Sequence, residues 1–232
     1  MTTPVAVVTG AGSGVGEQIA HQLHERGYAV VLVGRTREKL ESVARELGGR
    51  TLVLAADVGE NDDRARIVSE TLGSLGRIDA LVNNAGLALS RPLHKHDPAT
   101  MERLFRINGF GPVDLARRVL DPMVKQGSGV IVSVASMANI DPFPGLGMYG
   151  CAKGALGVLP KAIENEYAKK GIRAYTVCPG AIETGMLRSM FSEKVLPTSA
   201  TLAPEDVASR VVACVTGSCE ESSGSVIEMP SH

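Results

Sequence analysis

Seven short, β-branched apolar runs recur along this chain, separated by stretches with helical periodicity. That alternation limits the fold more than any other feature. The runs fall at residues 5–9, 29–33, 51–56, 80–82, 129–135, 172–178 and 225–229. Most are continuously apolar, as expected of strands covered on both faces rather than on one. Amphipathic segments intervene at 17–26, 36–47, 61–75, 100–126, 148–170 and from Pro204 to about 215. Their punctuation is regular. Thr36 is placed as an N-cap, Gly27 and Gly48-Gly49 as stops, and Pro204 as a first helical residue. Gly109, Gly111 and Pro112 interrupt the fourth segment, and Pro160 is expected to kink the fifth, otherwise continuous, helix. Strand and helix in alternation, with right-handed crossovers, make a doubly wound parallel α/β sheet of about seven strands with helices on both faces. The 232 residues form one domain, with no linker or repeat.

The first strand runs into Thr9-Gly10-Ala11-Gly12-Ser13-Gly14-Val15-Gly16, directly before the first helix. In a parallel α/β sheet this junction binds a dinucleotide, which makes the architecture a Rossmann fold. Unpaired N–H groups at the helix start face the pyrophosphate. Gly10, Gly14 and Gly16 give a G-x-x-x-G-x-G spacing rather than G-x-G-x-x-G, and Ser13 and Val15 complete the cradle. An acidic residue after the second strand would hold a ribose 2′-hydroxyl and select NAD. Here Gly34-Arg35-Thr36-Arg37 stands instead. Two guanidinium groups suit a 2′-phosphate, so the expected cofactor is NADP(H), with NAD(H) possible.

Tyr149 and Lys153 are four apart, hence on one face of a helix. A phenol titrates near 10, and a fixed cation beside it should draw that value toward the working range. Such a pair is an acid/base device if a reacting centre adjoins it.

With these motifs in order, the chain resembles the short-chain dehydrogenase/reductase family over nearly its whole length. Thr9 to Gly16 matches T-G-x-x-x-G-x-G. Asp57-Val58 matches the dipeptide after strand three, and Asn83-Asn84-Ala85-Gly86 the N-N-A-G after strand four. Asn108 matches the helix asparagine, and Ser136 precedes Tyr149 by thirteen residues within the S…Y-x-x-x-K set. Pro179-Gly180, with Ile182 and Thr184 beyond, matches the segment that meets the nicotinamide carboxamide. The resemblance implies a catalytic set of Asn108, Ser136, Tyr149 and Lys153. Tyr149 exchanges a proton with the substrate oxygen, Ser136 positions that oxygen, and Lys153 tunes the phenol and binds the nicotinamide ribose. Asn108 holds a water behind Lys153. It implies that Asp57 and Val58 meet the adenine, that Asn84, Ala85 and Gly86 line the cofactor, and that the protein is a homodimer or homotetramer. Ser13 stands where some NADP-preferring members carry a basic residue. Pro160 and the C-terminal Ile227-Glu228-Met229-Pro230, which lacks a common Gly-Gly, depart from the family pattern at its subunit contacts.

Composition removes other classes. Net charge is −1 with lysine and arginine dispersed, and aromatics are 3%, so neither a nucleic-acid footprint nor a stacking platform is expected. No 18-residue apolar run marks a membrane span and no secretory signal is recognised, so a cytoplasmic protein is expected. Four cysteines without metal spacing read as reduced, mostly buried thiols, with Cys151 a packing residue and no metal site. Asn83 is expected to tie strand four to its neighbour. His94 and His96 are expected on the surface. Loops 87–97, 137–147 and 185–203, with Ile140, Phe143, Leu146, Met148, Met186, Leu187, Met190, Phe191 and Leu196, should enclose an apolar pocket for a small carbonyl or alcohol. A catalytically silent dinucleotide sensor and a sugar-nucleotide epimerase are the alternatives. Retention of both Tyr149 and Lys153 speaks against the first. The small C-terminal region speaks against the second.

Overall fold

A computed structural model describes residues 2–231. Seven strands, β1 (Val5–Thr9), β2 (Ala29–Gly34), β3 (Thr51–Ala55), β4 (Ala80–Asn83), β5 (Gly129–Val134), β6 (Ile172–Pro179) and β7 (Val226–Met229), form one parallel sheet. Their spatial order is β3-β2-β1-β4-β5-β6-β7. The order reverses between β1 and β4, which opens a crevice at the carboxyl ends of the strands, the position where such sheets bind ligands.

The helices are α1 (Gly14–Glu25), α2 (Arg37–Leu47), α3 (Asn61–Leu75), α4 (Pro98–Phe105), α5 (Gly111–Gln126), α6 (Gly147–Lys153), α7 (Ala155–Tyr167), α8 (Gly185–Arg188) and α9 (Pro204–Thr216). Alternate side chains of each strand serve opposite faces. Ala6, Val8, Leu32 and Val132 meet Ile19 and Leu23 of α1, Leu40 of α2 and Val211 of α9. Val7, Val31, Leu81 and Ile131 meet Ile67 of α3, Leu115 and Met123 of α5 and Ile163 of α7. The central strands are therefore mostly apolar, with a few buried polar residues such as Thr9, Asn83, Ser133 and Thr176. The edge strands β3 and β7 retain half-buried and exposed residues.

Between α4 and α5 the chain forms a π-helical turn, Arg106–Phe110, so the interruption expected from Gly109, Gly111 and Pro112 is a widened turn rather than a break. Both glycines are there for close approach. A Cβ on Gly109 would lie 2.7 Å from the Ala152 carbonyl oxygen, and one on Gly111 would lie 2.5 Å from that of Val58.

The single helix expected over 148–170 is two helices that part at Gly154, six residues before the proline. α7 continues through Pro160. Proline leaves the Leu156 carbonyl without its helical donor. The buried Thr176 hydroxyl of β6 donates to that carbonyl at 2.7 Å. A strand side chain thus replaces the missing helix bond, and the proline is tolerated.

Candidate active site

The glycine turn is shaped as its spacing predicts. Gly10 and Gly14 have φ of 69° and 57°, in the left-handed region that disfavours a side chain. A Cβ on Gly16 would stand 2.2 Å from the Gly10 carbonyl oxygen, so this glycine lets α1 lie against the strand end. Asn84 fixes the neighbouring strand. Its Nδ2 donates to the Thr9 carbonyl at 2.9 Å, and the N–H groups of Asn84 and Ala85 both donate to the Thr9 hydroxyl at 3.0 Å. Asn83 donates to the Pro112 carbonyl at 3.0 Å, so it ties β4 to the start of α5 and not to another strand.

From this turn a cleft of about 770 Å³ runs along the carboxyl edge of the sheet. Gly10, Ser13, Gly14, Val15, Arg35, Asp57, Val58, Asn84, Ala85, Gly86, Ser136, Tyr149, Lys153, Pro179, Gly180, Ile182 and Thr184 all line it. Thr184 caps α8, accepting from the Leu187 N–H at 3.3 Å, and its methyl group lies opposite Gly14. The structure leaves three of the expected residues off the wall. Gly16 is buried behind the turn. Arg37 lies on the outer face of α2 with Glu41, 3.7 Å away. Asn108 is wholly enclosed. Lys39 and Gly12 line the cleft although the sequence reading passed over them. Lys39 is three residues past the Thr36 cap, hence on the cap's own side of the helix, and that spacing is a legible signal.

At the β4–β5 end, Ser136 is extended and caps a 3₁₀ turn, Met137–Asn139, its Oγ accepting from the Ala138 N–H at 3.1 Å. Its hydroxyl lies near enough to the Tyr149 phenol to act on that phenol's titration. Lys153 projects from the last turn of α6, 2% exposed, and its Nζ donates to the Val134 carbonyl at 2.7 Å. Asn108, in the π-helical turn, uses its whole side chain on backbone. Nδ2 donates to the carbonyls of Leu87 and Leu104 at 2.8 and 3.0 Å, and Oδ1 accepts from the Leu87 N–H at 3.0 Å. A Cβ on Gly86 would meet Asn108 Oδ1 at 3.1 Å and Lys153 Nζ at 3.6 Å, so the glycine keeps these two close.

Burial governs the titration of the pair. It pushes the Tyr149 phenol up to about 12, against the opposing influence of the nearby Ser136 hydroxyl. It pulls the Lys153 ammonium down to about 8. The expected drop in the phenol is therefore reversed here, because desolvation of the phenol itself outweighs what lowers it. At neutral pH the site presents a protonated phenol, which is a proton donor.

The substrate loops contribute Leu87, Met137, Phe143, Leu146, Met186, Leu187, Met190, Phe191 and Leu196 to the cleft. Phe143 and Phe191 meet edge to face at 5.7 Å. Two residues expected in the pocket are elsewhere. Ile140 is exposed and off the cleft, and Met148 is buried against Leu104 because it lies on the inner side of α6. His96 is buried rather than on the surface, its Nε2 3.3 Å from the Arg91 carbonyl. Cys151 is exposed, not packed; Cys178 and Cys214 are buried.

The family model for short chain dehydrogenase matches residues 4–195. The chain belongs to the short-chain dehydrogenase family. Among curated relatives of this short-chain dehydrogenase, an uncharacterized oxidoreductase of Staphylococcus aureus (strain USA300) is 32% identical over 218 residues, 93% of this chain and 92% of that one. Another from Staphylococcus epidermidis is 32% identical over 182 residues, 78% of this chain and 79% of that one. Among solved structures, a 3-ketoacyl-(acyl-carrier-protein) reductase from Brucella melitensis, complexed with NADH, superposes with a TM-score of 0.91 at 30% identity. It is matched over 98% of this chain and 96% of its own. Levodione reductase gives 0.90 at 26% identity, over 99% and 97%. The short-chain dehydrogenase is an oxidoreductase with the family's nucleotide-binding fold. Among the described residues, no helix is long and apolar enough to cross a membrane.

Proposed function

We propose that the protein interconverts a small apolar ketone or aldehyde and its alcohol with NADP(H), Tyr149 acting as the acid/base. The observation that carries this reading is the convergence of Tyr149, Ser136 and Lys153 on the cleft that begins at the glycine cradle. The cradle fits a dinucleotide, since a Cβ at Gly10 would come 2.8 Å from Asn84 Nδ2 and 3.0 Å from Ala85 Cα, so that glycine is required for the turn before α1. When bound, the nicotinamide supplies or accepts the hydride.

This chain's own residues do the rest. Gly10, Gly14 and the start of α1 receive the phosphates, and Ile182, Thr184 and Pro179 adjoin the carboxamide. Arg35 and Lys39 offer two positive charges where β2 ends, in support of a 2′-phosphate. Ser136 and Tyr149 hold the substrate oxygen, and Tyr149 gives it a proton in reduction or takes one in oxidation. Lys153 offsets the charge left on the phenolate. Asn108 holds the Leu87 segment and the π-helical turn behind Lys153. Assembly as a homodimer or homotetramer belongs to the same proposal, supported by the exposed apolar side chains of Phe105, Phe110 and Val158. So does a cytoplasmic location, supported by four free cysteines.

The test is turnover of a panel of apolar ketones with NADPH and NADH compared by kcat/KM. The expected result is reduction with at least a tenfold preference for NADPH. A preference for NADH would remove the cofactor assignment. Tight NADPH binding without turnover of any carbonyl would favour the silent-sensor alternative.

A further inference from the structure

The substrate end of the cleft carries a charge that the apolar reading does not use. Asp141 lines it, from the loop between the 3₁₀ turn and α6, five residues beyond Ser136. Its backbone N–H is anchored to the Met137 carbonyl at 2.8 Å. Its carboxylate makes no hydrogen bond or salt bridge among the described residues.

The other charged groups on the cleft wall are accounted for. Arg35, Lys39 and Asp57 follow β2 and β3, at the far side of the sheet, and Lys153 is directed at Val134. Arg188, the arginine of the loop that closes the pocket, is not on the wall. Its Nε donates to Glu183 at 2.7 Å and its Nη1 to the Leu196 carbonyl at 2.8 Å. Among the described residues of the wall, the substrate end therefore holds one carboxylate, exposed and unpaired, and no cation besides Lys153. Phe143 and Phe191 line the same space. A carboxylate that shares a pocket with aromatic rings suits a cationic nitrogen, through charge and through the ring quadrupole.

We propose that Asp141 is a specificity-determining residue that fits this pocket to carbonyl substrates bearing an ammonium group and turns it against anionic ones. This inference rests on the carbonyl-reduction reading for the reaction, but not for the binding preference itself. By the same electrostatics, substrates presented on a carboxylate or phosphate near Asp141 are repelled.

Isosteric probes separate charge from shape. Three aryl ketones with a trimethylammonium, tert-butyl or carboxylate group at one ring position would be assayed with NADPH. Wild type should favour the ammonium ketone over the tert-butyl ketone by roughly fivefold to tenfold in kcat/KM, and the carboxylate should be poorest. Asp141→Asn should bring the ammonium-to-tert-butyl ratio near one, and Asp141→Lys should shift preference toward the carboxylate. Added salt should shrink the wild-type ratio. A ratio that is the same in wild type and both variants would overturn the proposal.

Titration of phenyltrimethylammonium against tert-butylbenzene reads the preference without turnover. Preference for the ammonium that Asp141→Asn abolishes, with no ketone reduced, would sustain Asp141 and remove the reaction. Ketone reduction without any such preference would do the reverse.

Discussion

The two ends of the cleft are built from different material. At the cofactor end, between β1, β2 and β4, the wall is largely main chain. Glycines at positive φ, helix N–H groups and a Thr9–Asn84 clasp hold it within tight contacts. At the substrate end, beyond β5 and β6, the wall is side chains on loops, with Phe143 and Met186 more than two-fifths exposed. A phosphate is bound by N–H groups whose positions follow from backbone geometry. A substrate is bound by side-chain shape and charge that loops can exchange freely. The first end therefore tolerates little change, while the second can vary without loss of the fold.

Paired glycine substitutions put that contrast under the greatest load. Gly16→Ala forces a Cβ against the Gly10 carbonyl oxygen at 2.2 Å, whereas Gly185→Ala, at the start of α8, meets nothing within 4 Å. Thermal or urea unfolding should show Gly16→Ala destabilised by about 1–3 kcal/mol or more, with weaker NADPH binding. Gly185→Ala should stay within about 0.5 kcal/mol of wild type. Equal tolerance at both positions would erase the difference between the two ends.

Lys153, buried at the junction of the ends, gives the next effect. Lys153 is held at about 8 when folded, against an ordinary value near 10.5. Between those values the unfolded chain binds more protons than the folded one, so stability rises with pH in that window. Relative to Lys153→Met, wild type should gain on the order of a few kcal/mol from pH 8 to pH 10. A flat difference across that range would mean that Lys153 is solvated, and the account of its burial would fall.

Smaller effects sharpen the comparison on each side. Arg35→Ala should raise the KM for NADPH about tenfold and that for NADH little, with Lys39→Ala following at about threefold. Comparable changes for both cofactors would show that neither side chain reads the 2′-phosphate. Phe143→Ala, which ends the edge-to-face contact with Phe191, should raise the KM for an apolar ketone a few-fold with kcat nearly constant. A large fall in kcat would instead place Phe143 in the chemistry.

What could be read from residues alone follows the same division. All seven strands were legible, each within one or two residues, because the central ones are buried on both faces and so mostly apolar. The glycine turn was legible because close backbone approach leaves glycine as the residue that fits. Side-chain destinations were not. Arg35 and Arg37 look equivalent in sequence, yet α2 begins between them and carries Arg37 to its outer face beside Glu41. Pro160 was legible, but not the Thr176 hydroxyl that bonds the carbonyl it frees, from a strand sixteen residues on. The Tyr149–Lys153 spacing was visible, but the direction of the phenol's shift depends on burial, which no spacing encodes. Asp141 passed unremarked because a loop carboxylate means nothing until its neighbours on the wall are known.

The central claim is that Tyr149 moves the proton at the junction of the two ends. A stopped-flow measurement of NADPH oxidation by an apolar ketone, in wild type and Tyr149→Phe, tests it directly when the NADPH dissociation constant is measured in parallel. The account predicts that Tyr149→Phe binds NADPH within several-fold of wild type while its rate of oxidation falls by roughly 10²–10⁴. An oxidation rate matching wild type, with binding intact, would contradict it.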